Sequence, residues 1–417
     1  MNCSIITSRG RAQKQNDIKD DYMSKTQIPE LPDYNNCLVN LANSIEKKFG
    51  VETTADTLPL ADKYLDKKYK NVVVLLLDAM GVSILQKHLS ENGFFRSHLA
   101  GSYSSVFPPT TVAATTSVTS GLFPCESAWL GWDCYFPELG KNVTVYTNSD
   151  QLIEAGSPFS IEKEARPGDY DCPAVEERRP AAEFHVGFTY TPYESIVSKM
   201  KKAGSEAYFS SPFVEPNPQD LDAILGRVTD LCNQPGKMFI YAYWNEPDST
   251  MHRTGTVSKE THEIVTALEK RVEEFAEGLS DTLLFITADH GHMDSKNLCI
   301  LDYPEIMKCL VRMPGIEPRA LNLFIKDEYK DEFPVLFEKT FEDKFWLVPK
   351  EEVIERKLFG LGTEHPKFRE KLGDYLAISI SDTSLFNTHV EAKLMPGGHA
   401  GLTKEGLEIP LIAIERK

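Results

Sequence analysis

The chain has no CxxC pair, and its eight cysteines are scattered along 417 residues. That excludes a thiolate zinc site and a disulfide framework, and it fits reduced thiols. The opening segment, MNCSIITSRGRAQKQNDIKDD, has no apolar core long enough for a secretory signal or an anchor. A cytoplasmic location with no membrane partner is the expectation. Positive charge is also short: 62 acidic against 45 basic residues leave a formal charge of −17. Polymeric nucleic acid, which needs a basic footprint, is therefore excluded as the main partner. Small phosphate substrates are not excluded, because bound metal ions invert the field of an acidic pocket. No internal repeat or low-complexity tract is present.

What is there reads as an α/β protein. The length suits one large domain carrying a smaller insertion. Residues 1–35 are expected as a polar tail. From Leu38 an amphipathic pattern, LVNLANSIEKKFG, predicts a helix closed by Gly50. NVVVLLLDAMG (71–81) is an apolar, β-branched run that ends in Asp and Gly, as a buried parallel strand does. Runs at 237–244, 282–290 and 409–414 have the same character, with helical stretches at 191–204 and 256–279 among them. The alternation predicts a mostly parallel central sheet covered by helices on both faces, with sites just beyond the carboxyl ends of the strands. Residues 151–185, rich in charge, Pro and Gly, are expected as a surface excursion. Residues 316–375 are expected as an inserted α+β cap on a catalytic core of 36–315 and 376–417.

Three strand ends finish in acidic or histidine residues. Asp78 closes the first. After the second, Asp248 and His252 stand four apart, a spacing that puts both on one face of a helical turn. Asp289 and His290 follow the third directly, and His399 lies in the glycine-rich MPGGHAGL. Asp and His together are the usual ligands of a hydrolytic zinc or manganese centre. His292 and Asp294 are read as exposed. In SSVFPPTTVAATTSVTSGLFP (104–124) the small residues Thr111 to Ser120 predict a buried helix with Gly121 as its cap. Thr111 then lies at a helix N-terminus, where free N–H groups favour an oxyanion. It is either a nucleophile activated by a metal ion or, with Thr110, a simple helix cap.

The ordered set LLLDAMG, FPPTTVAATTSVTSGLFP, NEPDSTMH, TADHG and GGHAG resembles the alkaline phosphatase superfamily, in its nucleotide pyrophosphatase/phosphodiesterase branch. The resemblance covers roughly residues 70–300 and 375–417. It implies an alkaline phosphatase-like fold, Thr111 as nucleophile, and two divalent ions, zinc or manganese. One ion would be held by Asp78, Asp289, His290 and Thr111, the other by Asp248, His252 and His399. The sulfatase branch is not implied, because the chain has no CxPxR-type motif.

The segment after SGLFP departs from the branch pattern: SAWLGWDCYF places Ser127 at a His position and Trp132 at the position of a phosphate-binding Asn. Trp132 is instead a candidate for stacking on a base or aryl group. The expected activity is hydrolysis of phosphodiesters or nucleotide pyrophosphates through a phospho-threonine. A phosphomonoesterase or phosphonate hydrolase is the alternative with the same residues, and a non-catalytic metal-binding scaffold the alternative of another class. The expected partner is a small phosphate ester.

Overall fold

The run Asn71–Leu77 (β1) is buried at every position, which only a central strand covered on both faces allows. It pairs in parallel with Met238–Trp244 (β4) on one side and Thr282–Thr287 (β5) on the other. With Leu99–Ser104 (β2), Glu206–Ser210 (β3) and Glu408–Arg416 (β6), the sheet order is β2-β6-β5-β1-β4-β3. β6 runs antiparallel to both of its neighbours, so the sheet is mostly parallel. The computed structural model describes residues 29–160 and 174–417. Positions 1–28 of the expected tail and 161–173 of the expected excursion lie outside the described residues.

Helices pack against this sheet. Leu38–Lys48 (α1) buries nearly its whole length and lies against Thr111–Ser120 (α2). Its C-cap is Phe49, and Gly50 follows with φ +76. α2 ends at Gly121, whose φ of +72 is left-handed and favours glycine. Asp248–Thr254 (α3) and the longer Lys259–Glu277 (α4) follow β4.

A second, antiparallel sheet has the strand order 345–349, 375–379, 320–323, 315–317, 133–136, 141–144, 149–150. The region 316–375 therefore shares its sheet with three strands that follow α2 closely in the chain. A separate apolar core, including Phe333, Phe337, Phe341 and Phe345, lies under it. Six cysteines among the described residues are free and buried. No helix among those residues is long and apolar enough to cross a membrane.

Candidate metal centre

Where β1, β4 and β5 end, their last residues meet. The register pairs Leu77 with Trp244 and Leu76 with Thr287, so the three strands finish level with one another. Asp78, Asp289 and His290 come together there, and all three are fully buried. His290 Nε2 lies 3.3 Å from Asp78 Oδ1 and 3.6 Å from Asp289 Oδ2. The other Asp289 oxygen accepts from the amides of Ala79 (3.1 Å) and His290 (3.0 Å), which fixes the carboxylate. Tyr243 donates its phenol to Asp78 Oδ2.

Thr111 begins α2 above this cluster. Its Oγ1 is 3.2 Å from His290 Nε2 and 3.4 and 3.5 Å from the two Asp78 oxygens. Neither threonine side chain caps the helix. Thr110, at the cap position, donates instead to Glu317 Oε1 at 2.5 Å.

Asp248 and His252 occupy one face of α3, with His252 Nε2 3.4 Å from Asp248 Oδ1. Asp248 belongs to two overlapping groups, one with His252 and His292 and one with His290 and His399. In every group the potential ligand atoms lie within 4.8 Å of one another. His399 stacks on His290, ring centroids 4.1 Å apart, and lies 5.1 Å from the His252 ring. All seven residues singled out as nucleophile or ligands are thus in one place.

His292 corrects the sequence reading: it is fully buried rather than exposed, with Nδ1 3.2 Å from Asp248 Oδ1. Gly397 makes this close fit possible, because a Cβ there would lie 2.6 Å from both His292 Nε2 and the Met251 carbonyl. Asp294 is exposed. Gly291 must be glycine for a similar reason: a Cβ would meet the Glu405 carbonyl at 1.9 Å.

The electrostatics follow from burial. Burial, then the charges of Asp289 and Asp248, push the Asp78 carboxyl well above the ordinary range. Burial raises Asp289 too, against the pull of His290. Burial opposes the charge on Asp248 as well, but His252, His292 and His399 together hold it below the usual carboxylate range. Burial pushes His292 down to about 4 and His399 well below its ordinary value. Those imidazoles are neutral at pH 7, the form that ligates metal. Carbonyls set two tautomers: His290 Nδ1 donates to Gly291 O (3.0 Å) and His252 Nδ1 to Gly397 O (3.1 Å). Both Nε2 atoms then carry the lone pair and face the cluster, His290 Nε2 towards the Thr111 hydroxyl and His252 Nε2 towards Asp248. Asp248 Oδ1, Asp289 Oδ2 and His399 Nδ1 are buried without a hydrogen-bond partner. This donor set fits divalent cations, which would compensate the buried carboxylates and engage the orphaned atoms.

Two cavities adjoin the centre. The smaller, about 290 Å³, is lined by Thr111, Asp248, His252 and His399 and walled by Trp132, Glu317 and Glu391. The larger, about 960 Å³, runs along α2 past Thr115 and Thr119. Its lining is aromatic and includes Trp129, Tyr146, Tyr193, Phe213, Tyr241 and Tyr243. Trp129 is a core residue, fully buried, with Nε1 donating to Thr191 O at 2.8 Å. Trp132 is 36% exposed and meets the edge of Tyr146, ring centroids 6.3 Å apart. Sequence reasoning missed Tyr243 and Glu317. Tyr243 lies inside an apolar strand run, and Glu317 reaches α2 only through the pairing of the second sheet.

An α/β fold of this kind, with Asp and His side chains gathered at the strand ends around a helix-terminal threonine, is that of the alkaline phosphatase superfamily. The family model for type I phosphodiesterase / nucleotide pyrophosphatase matches residues 72–336, more than half of the chain, and the chain belongs to that family. Solved structures share the fold. Murine ectonucleotide pyrophosphatase/phosphodiesterase 5, as an inactive variant in complex with AMP, aligns with a TM-score of 0.57 at 14% identity. That alignment covers 83% of this chain and 88% of the other. Phosphonoacetate hydrolase from Sinorhizobium meliloti 1021, in complex with phosphonoacetate, aligns with a TM-score of 0.56 at 12% identity, covering 83% and 90%. No curated protein sequence matches the chain.

Proposed function

We propose that the chain hydrolyses phosphate esters at two divalent metal ions, with Thr111 as the nucleophile and a phospho-threonine as intermediate. Asp78, Asp289 and His290 would hold one ion and Asp248, His252 and His399 the other. The observation that carries this reading is the position of Thr111 Oγ1. It lies 3.2–3.5 Å from Asp78 and His290, at the N-terminus of α2, with the second group of ligands alongside. Bound ions, zinc or manganese, would supply positive charge to the nucleophile, the phosphoryl oxygens and the leaving oxygen.

The chain's residues do the rest. Thr111 loses its proton to water, and the Oγ1–P bond forms as the ester P–O bond breaks. The leaving oxygen takes a proton from water. A water molecule then cleaves the phospho-threonine, restoring the Thr111 hydroxyl and releasing the second product, so one water is consumed overall. The amides at the start of α2 stabilise the developing negative charge. Tyr243 orients Asp78, and the carbonyls of Gly291 and Gly397 orient His290 and His252.

Diesters and nucleotide pyrophosphates are the leading substrates, because the large aromatic cavity beside α2 suits a retained base or aryl group. Trp132 lines the smaller cavity and meets the edge of Tyr146, which lines the larger one. Residues 316–375 roof the cleft as a cap in this reading, and the location is cytoplasmic. The test uses p-nitrophenyl phosphate and bis-p-nitrophenyl phosphate, each with metal-free, zinc-loaded and manganese-loaded protein. Metal-dependent turnover with the diester preferred is the expected result. Preference for the monoester would move the chain to the phosphomonoesterase reading, and no turnover on either would favour a metal-binding scaffold.

A further inference from the structure

Two histidines outside the metal centre face each other across a pair of helices. His88 ends the helix Val82–His88, which follows Asp78 in the chain, and His262 lies in the first turn of α4, which follows α3. Their Nδ1 atoms stand 3.4 Å apart, with ring centroids at 5.6 Å. Neither belongs to the groups of Asp and His gathered at the strand ends.

The tautomer of His88 is fixed by its surroundings. Thr256 is fully buried; its amide donates to Asp294 Oδ1 at 2.5 Å, and its hydroxyl accepts from Lys87 Nζ at 3.0 Å. The Thr256 carbonyl, held in place by these contacts, lies 2.8 Å from His88 Nε2. A carbonyl only accepts, so the His88 proton is on Nε2 and Nδ1 carries the lone pair. Burial pushes His88 below its ordinary value, which keeps the ring neutral at pH 7. His262 is exposed, so its Nε2 can hold its proton in water and turn a second Nδ1 lone pair towards the first.

The separation of the two nitrogens decides between two uses of the pair. An N–H donor usually stands about 2.7–3.2 Å from its acceptor, so a direct hydrogen bond between the rings is stretched at 3.4 Å. Two nitrogens bound to tetrahedral zinc at about 2.0–2.1 Å are about 3.3–3.4 Å apart, which matches the spacing seen here. We infer that His88 and His262 form a metal site separate from the catalytic centre, for zinc or another divalent cation that prefers imidazole, with water completing the coordination. Manganese and magnesium, which prefer oxygen ligands, are poor occupants of such a pair. The positive charge of Lys87 beside His88 opposes a cation, so this site binds zinc more weakly than the carboxylate-bearing centre. A bound ion would tie the helix after Asp78 to α4, and so brace two elements that adjoin ligands of the centre.

The test is equilibrium dialysis of the full chain against increasing zinc or manganese, with bound metal measured by elemental analysis and thermal melting recorded in parallel. The unmodified chain should take up one zinc ion beyond those of the centre, at higher zinc concentration, with no matching step for manganese. His88→Ala, His262→Ala and the double variant should each bind one zinc fewer than the unmodified chain. Each should also lose the rise in Tm that accompanies the last ion, and turnover should not change. His262→Ala leaves the bond from His88 to Thr256 in place, and the zinc-against-manganese comparison needs no variant at all. Zinc uptake unchanged in either single variant, or a last step as strong with manganese as with zinc, would overturn the inference. An inactive chain that still shows the zinc step would leave it standing and remove the hydrolase reading instead.

Discussion

Replacing His292 by Ala perturbs the centre without touching a residue proposed to hold a metal. His292 Nδ1 lies 3.2 Å from Asp248 Oδ1, and its ring stands 4.6 Å from that of His252. It therefore supports one of the two proposed ion sites from behind. Loss of an outer partner of this kind lowers metal affinity or activity by about 10–100-fold. At RT ln of that factor, the loss is about 1.4–2.7 kcal/mol. The variant also leaves a hole in a fully buried position, so some loss of stability accompanies it. The two effects separate experimentally. Apo protein is titrated with zinc against a competing chelator, and thermal melting is recorded for apo and loaded forms. The expected result is one weakened zinc step and one unchanged step, with His292→Asn recovering part of the loss because it keeps a polar group against Asp248. Unchanged zinc affinity in a protein that merely melts earlier would show that His292 is packing alone, and the argument from the Asp248 contact would fail.

Other predictions follow from the same geometry. Thr111→Ala should abolish turnover while two divalent ions still bind by elemental analysis, because three protein ligands remain at each site; a dead Thr110→Ala beside an active Thr111→Ala would move the nucleophile by one residue. Ala at Asp248, His252 or His399 should each cost about as much activity as all three together, since residues acting as a unit are non-additive, and stepwise independent losses would assign His399 elsewhere. Trp132→Ala should lower kcat/KM for nucleotide and aryl esters about ten- to a hundredfold, from a stacking contribution on the order of 1–3 kcal/mol, with small alkyl phosphates little changed. Equal loss on both substrate types together with a lower Tm would make Trp132 a structural residue.

Much of this site was legible because its residues punctuate buried strands. Asp78 and the Asp289–His290 pair interrupt apolar runs where polar groups have no packing reason to be. Asp248 and His252 have helical spacing at the start of α3, as a shared ligand face requires. His292 was not legible: two residues past His290, it is exposed by any local rule, and only the bare backbone at Gly397 lets it turn inward. Glu317 was hidden for a different reason. It becomes a neighbour of Thr110 through a pairing of 315–317 with 133–136, two segments far apart in the chain. Tyr243 looks like any other member of an apolar strand until the register brings it beside Leu76 and over Asp78. The direction of β6 was equally silent, since an apolar run of its length reads the same in parallel and antiparallel neighbours.

The central claim is that Thr111 carries the phosphoryl group between the two half-reactions. Metal-loaded protein is mixed with a good diester, quenched in acid within the first turnover, digested, and the peptide containing Thr111 analysed by mass spectrometry. A single phosphoryl adduct localised to Thr111, absent from Thr111→Ala and lost when the quench is delayed past substrate exhaustion, is the predicted result. Turnover by an enzyme that never shows that adduct, or shows it on another residue, would contradict it.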